Sequence, residues 1–295
     1  MMHDTDTLAA TKAAVRSGGF LADMARRLRR DPVTLVAGGV LVAIGLAALL
    51  APWIAPADPN QTSIVNRLRP PGTPGHLLGT DELGRDLLSR VIWGGRLTLF
   101  MGFAPVVVAT LVGGFLGILA GFAGGRVNSA IMRTMDVFYA FPSVLLAVAI
   151  SGALGGGMIN GLFALILVFI PPIARVAESV TLQVRTQPYV EAAAATGASA
   201  TRIVVGHVLK NVAGPILVYA SSLISISIVI ASGLSFLGLG VSPPDAEWGL
   251  MLSSLRQSVY VAPLNAVIPG AMIFLTSLCF NTMTDGLRHA LNVKE

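Results

Sequence analysis

Charge is scarce in this chain of 295 residues: Asp, Glu, Lys and Arg together make up 12% of it, about half the share of a soluble domain. Lysine is scarcer still. Lys12, Lys210 and Lys294 are the only three, and none follows a glycine. The phosphate-binding pattern G-x4-G-K-[ST] is therefore absent, and any use of nucleotide energy has to come from another chain. The lone cysteine, Cys279, excludes an intramolecular disulfide. His3, His76, His207 and His289 are scattered with no metal-ligand spacing and no H-E-x-x-H, so a metalloenzyme has no support. No basic stripe with interleaved aromatics occurs, which removes nucleic acid as the reason for a net charge of +5.

What fills the chain instead is apolar sequence, at 54% hydrophobic residues and a mean hydropathy of +0.75. A bilayer core about 30 Å thick needs ~20 apolar residues per helix. The charge-free runs are Val33–Ile54, Leu97–Gly125, Val137–Ala174, Val212–Pro244 and Gln257–Thr284. The third is too long for one crossing and carries Gly152, Gly155, Gly156 and Gly157 near its middle. It reads as two spans joined by a tight turn, the first beginning near Ile131. The fold class expected is an all-α integral membrane protein with six transmembrane helices.

Basic residues set its orientation. With the N-terminus inside, Lys12, Arg16, Arg26, Arg27, Arg29, Arg30, Arg126, Arg133, Arg175, Arg185, Arg202, Lys210, Arg288 and Lys294 face the cytoplasm, and Arg67, Arg69, Arg85, Arg90, Arg96 and Arg256 face outward. Both termini are expected in the cytoplasm. The first run, at 22 residues, exceeds a signal-peptide core and reads as a retained anchor.

Three segments lie between spans. In the outer segment Ala55 to Arg96, Thr80 is the expected cap of an amphipathic helix on the membrane surface, with Leu83, Leu87, Leu88, Val91 and Ile92 as its stripe and Trp93 at the headgroups. Between the last two spans, Asp245 and Glu247 read as solvated charges beside an interfacial Trp248. They could also touch a partner or a cationic substrate. Asp136, near a cytoplasmic end, is expected to pair with Arg133 or to accept a helix hydrogen bond.

The third segment, residues 175–211, carries Glu191-Ala192-Ala193-x3-Gly197-x9-His207-x-Leu209. Pro188 suits the first turn of a helix running through Ala195, Gly197 its left-handed stop, and Ser199 the cap of the next helix. Small side chains there permit close approach by another protein. A compact hairpin packed under the bundle accounts for the same residues.

Four stretches in order carry a family resemblance: His76 to Arg90, Glu191 to Asn211, Leu234 to Pro244, and Phe280 to Arg288. The chain resembles the second permease subunit of dipeptide, oligopeptide and nickel ABC importers from the first span to its end. The resemblance implies the type I importer permease fold, in a bacterial inner membrane. It divides the chain into 1–95 (N-terminal segment, first span and outer loop), 96–287 (permease domain) and 288–295 (tail). It also implies a second, homologous permease, two cytoplasmic ATPase subunits that use ATP and Mg, and an extracytoplasmic binding protein. Glu191, Ala192, Ala193, Gly197 and His207 would form the ATPase-coupling loop. The chain itself would bind no cofactor and catalyse nothing, and its cargo would be di- or oligopeptides, or else nickel or another small solute. One departure stands out: Lys210 replaces the proline with which the family loop usually ends, and Pro215 follows. A secondary transporter is the rival class. It calls for ionisable residues at mid-membrane or paired broken helices; Gly152 has no counterpart in the other half.

Overall fold

The computed structural model describes residues 31–292. The basic cluster from Lys12 to Arg30, Lys294, and much of the basic count that sets the orientation lie outside the described residues.

Long helices dominate because the apolar runs leave no water to satisfy their backbone, so each bonds within itself. Helix α1 (Pro32–Leu49) starts where Asp31 accepts from the amide of Val33 and Pro32 takes the first turn. Helix α2 spans Leu87–Ala123, α3 Gly125–Tyr139, α4 Ser143–Ala153 and α5 Met158–Arg185. The short α6, Pro188–Ala195, precedes α7, a 37-residue helix from Ala200 to Phe236. Helix α8 is Trp248–Leu255 and α9 is Pro263–Asn292. Among the described residues five helices are long and apolar enough to cross a membrane, and six spans result if α3 and α4 form one broken crossing.

That break differs from the single helix expected from Ile131. The chain turns by 87° between α3 and α4. Pro142 explains it: it offers no amide to the ladder and disfavours helical backbone at Phe141. The turn after α4 is as expected, with Gly155, Gly156 and Gly157 all at positive φ, 94°, 69° and 95°.

The second crossing also starts earlier than its apolar run. Asp86, not Thr80, caps α2, accepting from the Ser89 amide at 2.8 Å. No helix forms over 80–86, because Gly84 sits at φ 73° and the Asp81 carboxylate takes the amides of Leu83 and Arg85, both at 2.9 Å. Leu87 and Val91 pack on Trp248, Met251 and Leu255 rather than on lipid. The amphipathic surface helix is thus replaced by a folded cap and an inward-facing first turn of α2.

Helices α2 and α5 make the most intimate contact in the bundle. Gly113, Gly117 and Gly121 lie four residues apart on α2. A Cβ at Gly113 would meet the Ile170 carbonyl at 2.7 Å, one at Gly121 the Glu178 carbonyl at 2.8 Å, and one at Gly117 would strike the Ala174 carbonyl. Close backbone approach, rather than apolar burial, drives helix association in lipid. The main core lies between α2, α5 and α7 around Met101, Leu165, Phe169, Ile173, Val212 and Leu234.

Candidate functional site: the hairpin between α5 and α7

At one end of the bundle α5 and α7 are joined by α6 and two tight turns. Pro188 occupies the first turn of α6, and Glu191 lies in that first turn, where a helix dipole favours an acid. The helix stops at Gly197, whose φ of 81° lies in the left-handed region. The Gly197 amide donates to Ala194 at 3.0 Å and that of Ala198 to Ala193 at 3.2 Å, the paired bonds of a Schellman stop. Ser199 then caps the next helix by accepting from the Arg202 amide. Each of these local expectations from sequence matches the structure.

Anchoring and display are separated along this hairpin. Val190, Ile203 and Val208 are buried in the main core, with Ala193 and Ala198 packed against it. Glu191, Ala192, Ala194, Ala195 and Gly197 are exposed. The result is a short rod whose C-terminal half, Ala192 to Ala195, presents nothing larger than a methyl group, while Tyr189 and Glu191 stand out from its first turn. Beside it a groove of about 460 Å³ is lined by Phe122, Leu182, Arg185, Val190, Glu191 and Ile203.

His207 is exposed on the rising helix, its ring centroid 6.3 Å from that of Tyr189. It therefore stands near the start of α6 rather than beside Gly197. The five residues Val204–Val208 open into a π-turn, and Asn211 donates to the His207 carbonyl at 2.7 Å. Lys210 and Pro215 both sit within the continuous helix, so neither punctuates it. A π-turn of this kind often marks a functional stretch.

The opposite end is a knot of buried charge. Arg90 donates to the carbonyls of Pro59 at 2.9 Å and Asp245 at 3.2 Å, while Arg85 pairs with Asp81 at 2.6 Å. His76 meets Asp86 at 3.0 Å, and Asn265 of α9 donates to Arg69 and Thr80 carbonyls. Glu247 is 1% exposed and caps α8 with both oxygens, accepting from Gly249 at 3.0 Å and Leu250 at 2.8 Å. Thr98 and Ser232 donate to the same carboxylate. Burial pushes its pKa up, against the pull of these donors. Trp248 is buried too, its indole donating to the Val91 carbonyl at 2.9 Å. The expected solvated acid and interfacial tryptophan are therefore structural residues, because α8 tucks under the end of α2.

Asp136 pairs with Arg175 of α5, not with Arg133. The stretch Gly113-x3-Gly117-x3-Gly121 went unread in the sequence, although small residues at that spacing signal close helix packing in a membrane.

Residues 113–294 match the family described as the binding-protein-dependent transport system inner membrane component, and residues 19–71 match the N-terminal transmembrane domain of oligopeptide transport permease C. The chain belongs to the binding-protein-dependent transport permeases. It is 44% identical over 264 residues to the di/tripeptide transport system permease DppC of Pseudomonas aeruginosa, covering 87% of each chain. It is 39% identical to the probable D,D-dipeptide permease DdpC of Escherichia coli, over 90% of this chain and 89% of that one. To the glutathione transport permease GsiD of Salmonella typhimurium it is 41% identical, over 91% and 89%. Among solved structures, an inward-facing MetNI methionine ABC transporter superposes with a TM-score of 0.53 at 17% identity, over 67% of this chain and 96% of that one. An amino acid ABC transporter gives 0.51 at 16%, over 66% and 91%.

The fold is thus that of a type I ABC importer permease, and the chain is an inner membrane transport component. In this fold the hairpin carries a short exposed helix, α6, that links the two spans α5 and α7. The knot is part of the frame that holds the spans.

Proposed function

We propose that this permease forms half of the translocation pathway of an ATP-driven importer for di- or oligopeptides. A homologous permease supplies the other half, two ATPase subunits dock on the hairpin from the cytoplasm, and an extracytoplasmic binding protein delivers cargo to the knot end. Both chain termini are cytoplasmic. ATP and Mg are used on the partners, so this chain binds no cofactor and catalyses no reaction. The peptide-transporting relatives favour peptide over nickel as cargo.

The observation that carries this reading is the exposed α6, pinned to the core at its own Val190 and backed by Ile203 and Val208 at the start of α7. A rod held at its base transmits a rigid-body push rather than absorbing it. Displacement of α6 moves α5 and α7 directly, and α5 carries α2 with it through the three-glycine contact. Glu191 on the rod and His207 beside it offer polar contacts, and the exposed Ala192 and Gly197 allow the partner surface to close on backbone, while Ala193, expected as a contact, is half-buried and packs inward.

Reconstitution is the test. Alone in liposomes the chain should neither hydrolyse ATP nor accumulate peptide. Adding the second permease, the ATPases and the binding protein should give hydrolysis stimulated by peptide-loaded binding protein. Reporter fusions should read outside near Gly156 and inside near Gln187. An outside report at Gln187, or gradient-driven uptake by the lone chain, refutes the assignment.

A further inference from the structure

The break between α3 and α4 is exposed, and it stands one short helix away from the Gly155–Gly157 turn. Helix α4 has 11 residues and rises about 16 Å, half of a core about 30 Å thick. Tyr139, Ala140, Phe141, Pro142 and Ser143 at the break are all exposed. Irregular backbone at that depth cannot face hydrocarbon; it has to face protein or water.

Charge at the same place agrees. Asp136 on α3 pairs with Arg175 on α5, and their side chains remain 54% and 51% exposed. Arg175 lies 17 residues beyond Met158, about 26 Å along α5. So placed, the pair lies toward the cytoplasmic side of a core about 30 Å thick, and an ion pair there faces water or a partner, not lipid. The Arg175 guanidinium also lies 5.8 Å from the centre of the Tyr139 ring.

Beside the pair is a cavity of about 330 Å³, with Phe138, Tyr139, Phe141, Val168 and Tyr219 among its lining residues. That volume is at the lower end for a small-ligand site, about 300–1,000 Å³. Pro171 and Pro172 in α5 cannot donate to the carbonyls of Leu167 and Val168.

We propose that this break is a subsite on the pathway for a zwitterionic peptide. Arg175 takes the carboxylate and Asp136 the ammonium, each charge exchanging its partner in the empty pair for one on the ligand. The aromatic cavity takes a side chain. A pair that closes on itself when empty leaves no uncompensated charge at membrane depth. It also gives a free-ended peptide two charge-assisted bonds that a blocked one lacks. The subsite rests on the peptide-importer reading and adds the recognised chemistry to it.

The test uses the full importer, with binding protein omitted so that its own selectivity does not intervene. Phe141→Cys is made in a Cys279→Ser background and labelled with a membrane-impermeant, charged thiol reagent. Labelling should proceed, and the dipeptide Ala-Phe should slow it. N-acetyl-Ala-Phe-amide, which lacks both bonds, should protect about a hundredfold more weakly, about tenfold for each bond. Asp136→Asn and Arg175→Gln should each cut that difference by about tenfold, and the two together should abolish it. The swap Asp136→Arg with Arg175→Asp should restore it, which separates a lost site from a misfolded one. Equal protection by both peptides in the parent, or an unchanged ratio in the variants, overturns the subsite. ATP hydrolysis stimulated by peptide-loaded binding protein is followed in parallel. If that persists while the subsite test fails, only the subsite falls; if peptide never stimulates hydrolysis, the importer reading itself falls.

Discussion

The two ends of this bundle handle polarity in opposite ways. At the knot, Asp81, Arg85, Asp86, Arg90 and Glu247 are buried, and each has partners within hydrogen-bond distance. At the hairpin, the residues with the strongest functional claim are exposed alanines and a glycine that bond to little beyond their own backbone. A charged residue in a sparse-charge membrane protein invites a functional reading, and a small one invites none. Here the inference runs the other way. The charges hold a frame together, and the small side chains leave room for a partner.

The comparison is broken most directly inside the frame, at the α2–α5 contact. Gly117→Val would drive side-chain atoms into the Ala174 carbonyl and the Ala177 methyl. Neither can swing aside, so the helices must separate. The expected cost exceeds about 3 kcal/mol, the upper range for overpacking, and is read as loss of monodisperse protein in detergent. Gly114→Val, three residues earlier where a Cβ meets nothing within 4 Å, should leave the protein intact.

Next in size is Glu247. Replacement by alanine strands the amides of Gly249 and Leu250 and the hydroxyls of Thr98 and Ser232, at about 3 kcal/mol. Its pH signature has a definite sign. A carboxyl whose pKa is raised in the folded state stabilises the fold below the ordinary value of 4.5 and loses that contribution as pH rises through the folded value. Thermal melts between about pH 4 and pH 8 should therefore flatten in Glu247→Gln relative to the parent. A steeper pH dependence in that variant would refute a burial-raised carboxyl.

The same contrast explains what could be read from sequence. The hairpin follows local rules: Pro188 starts a helix, Gly197 stops it and Ser199 caps the next. All act within a few residues of themselves, so the string alone contains them. The knot is built from distant partners, such as Arg90 on the carbonyls of Pro59 and Asp245, and no window around Arg90 reveals them. Periodicity in Leu83, Leu87 and Val91 therefore suggested a surface helix, where long-range burial instead made an inward-facing start of α2. The α3–α4 break is a middle case. Pro142 was visible in the sequence, but a long apolar run argued more strongly for an unbroken helix.

The smallest expected effect on stability is at Ala192, and it sharpens the comparison most. The residue is exposed, sits mid-helix and has no partner beyond its own helix among the described residues. Leucine is a good helix former there, so Ala192→Leu should change stability by less than about 0.5 kcal/mol. If α6 works by close approach, the longer side chain should nonetheless hold the ATPase surface away and abolish peptide uptake by the full importer. Gly197→Val brackets the effect, because it strains a backbone at φ 81° by about 1–2 kcal/mol and so perturbs shape as well as contact. The decisive measurement pairs a melt with an uptake assay on Ala192→Leu. An unchanged melt with lost uptake places the function in the exposed surface itself. An unchanged melt with normal uptake would mean that the hairpin merely caps the bundle, and the contrast between its two ends would then be one of packing alone.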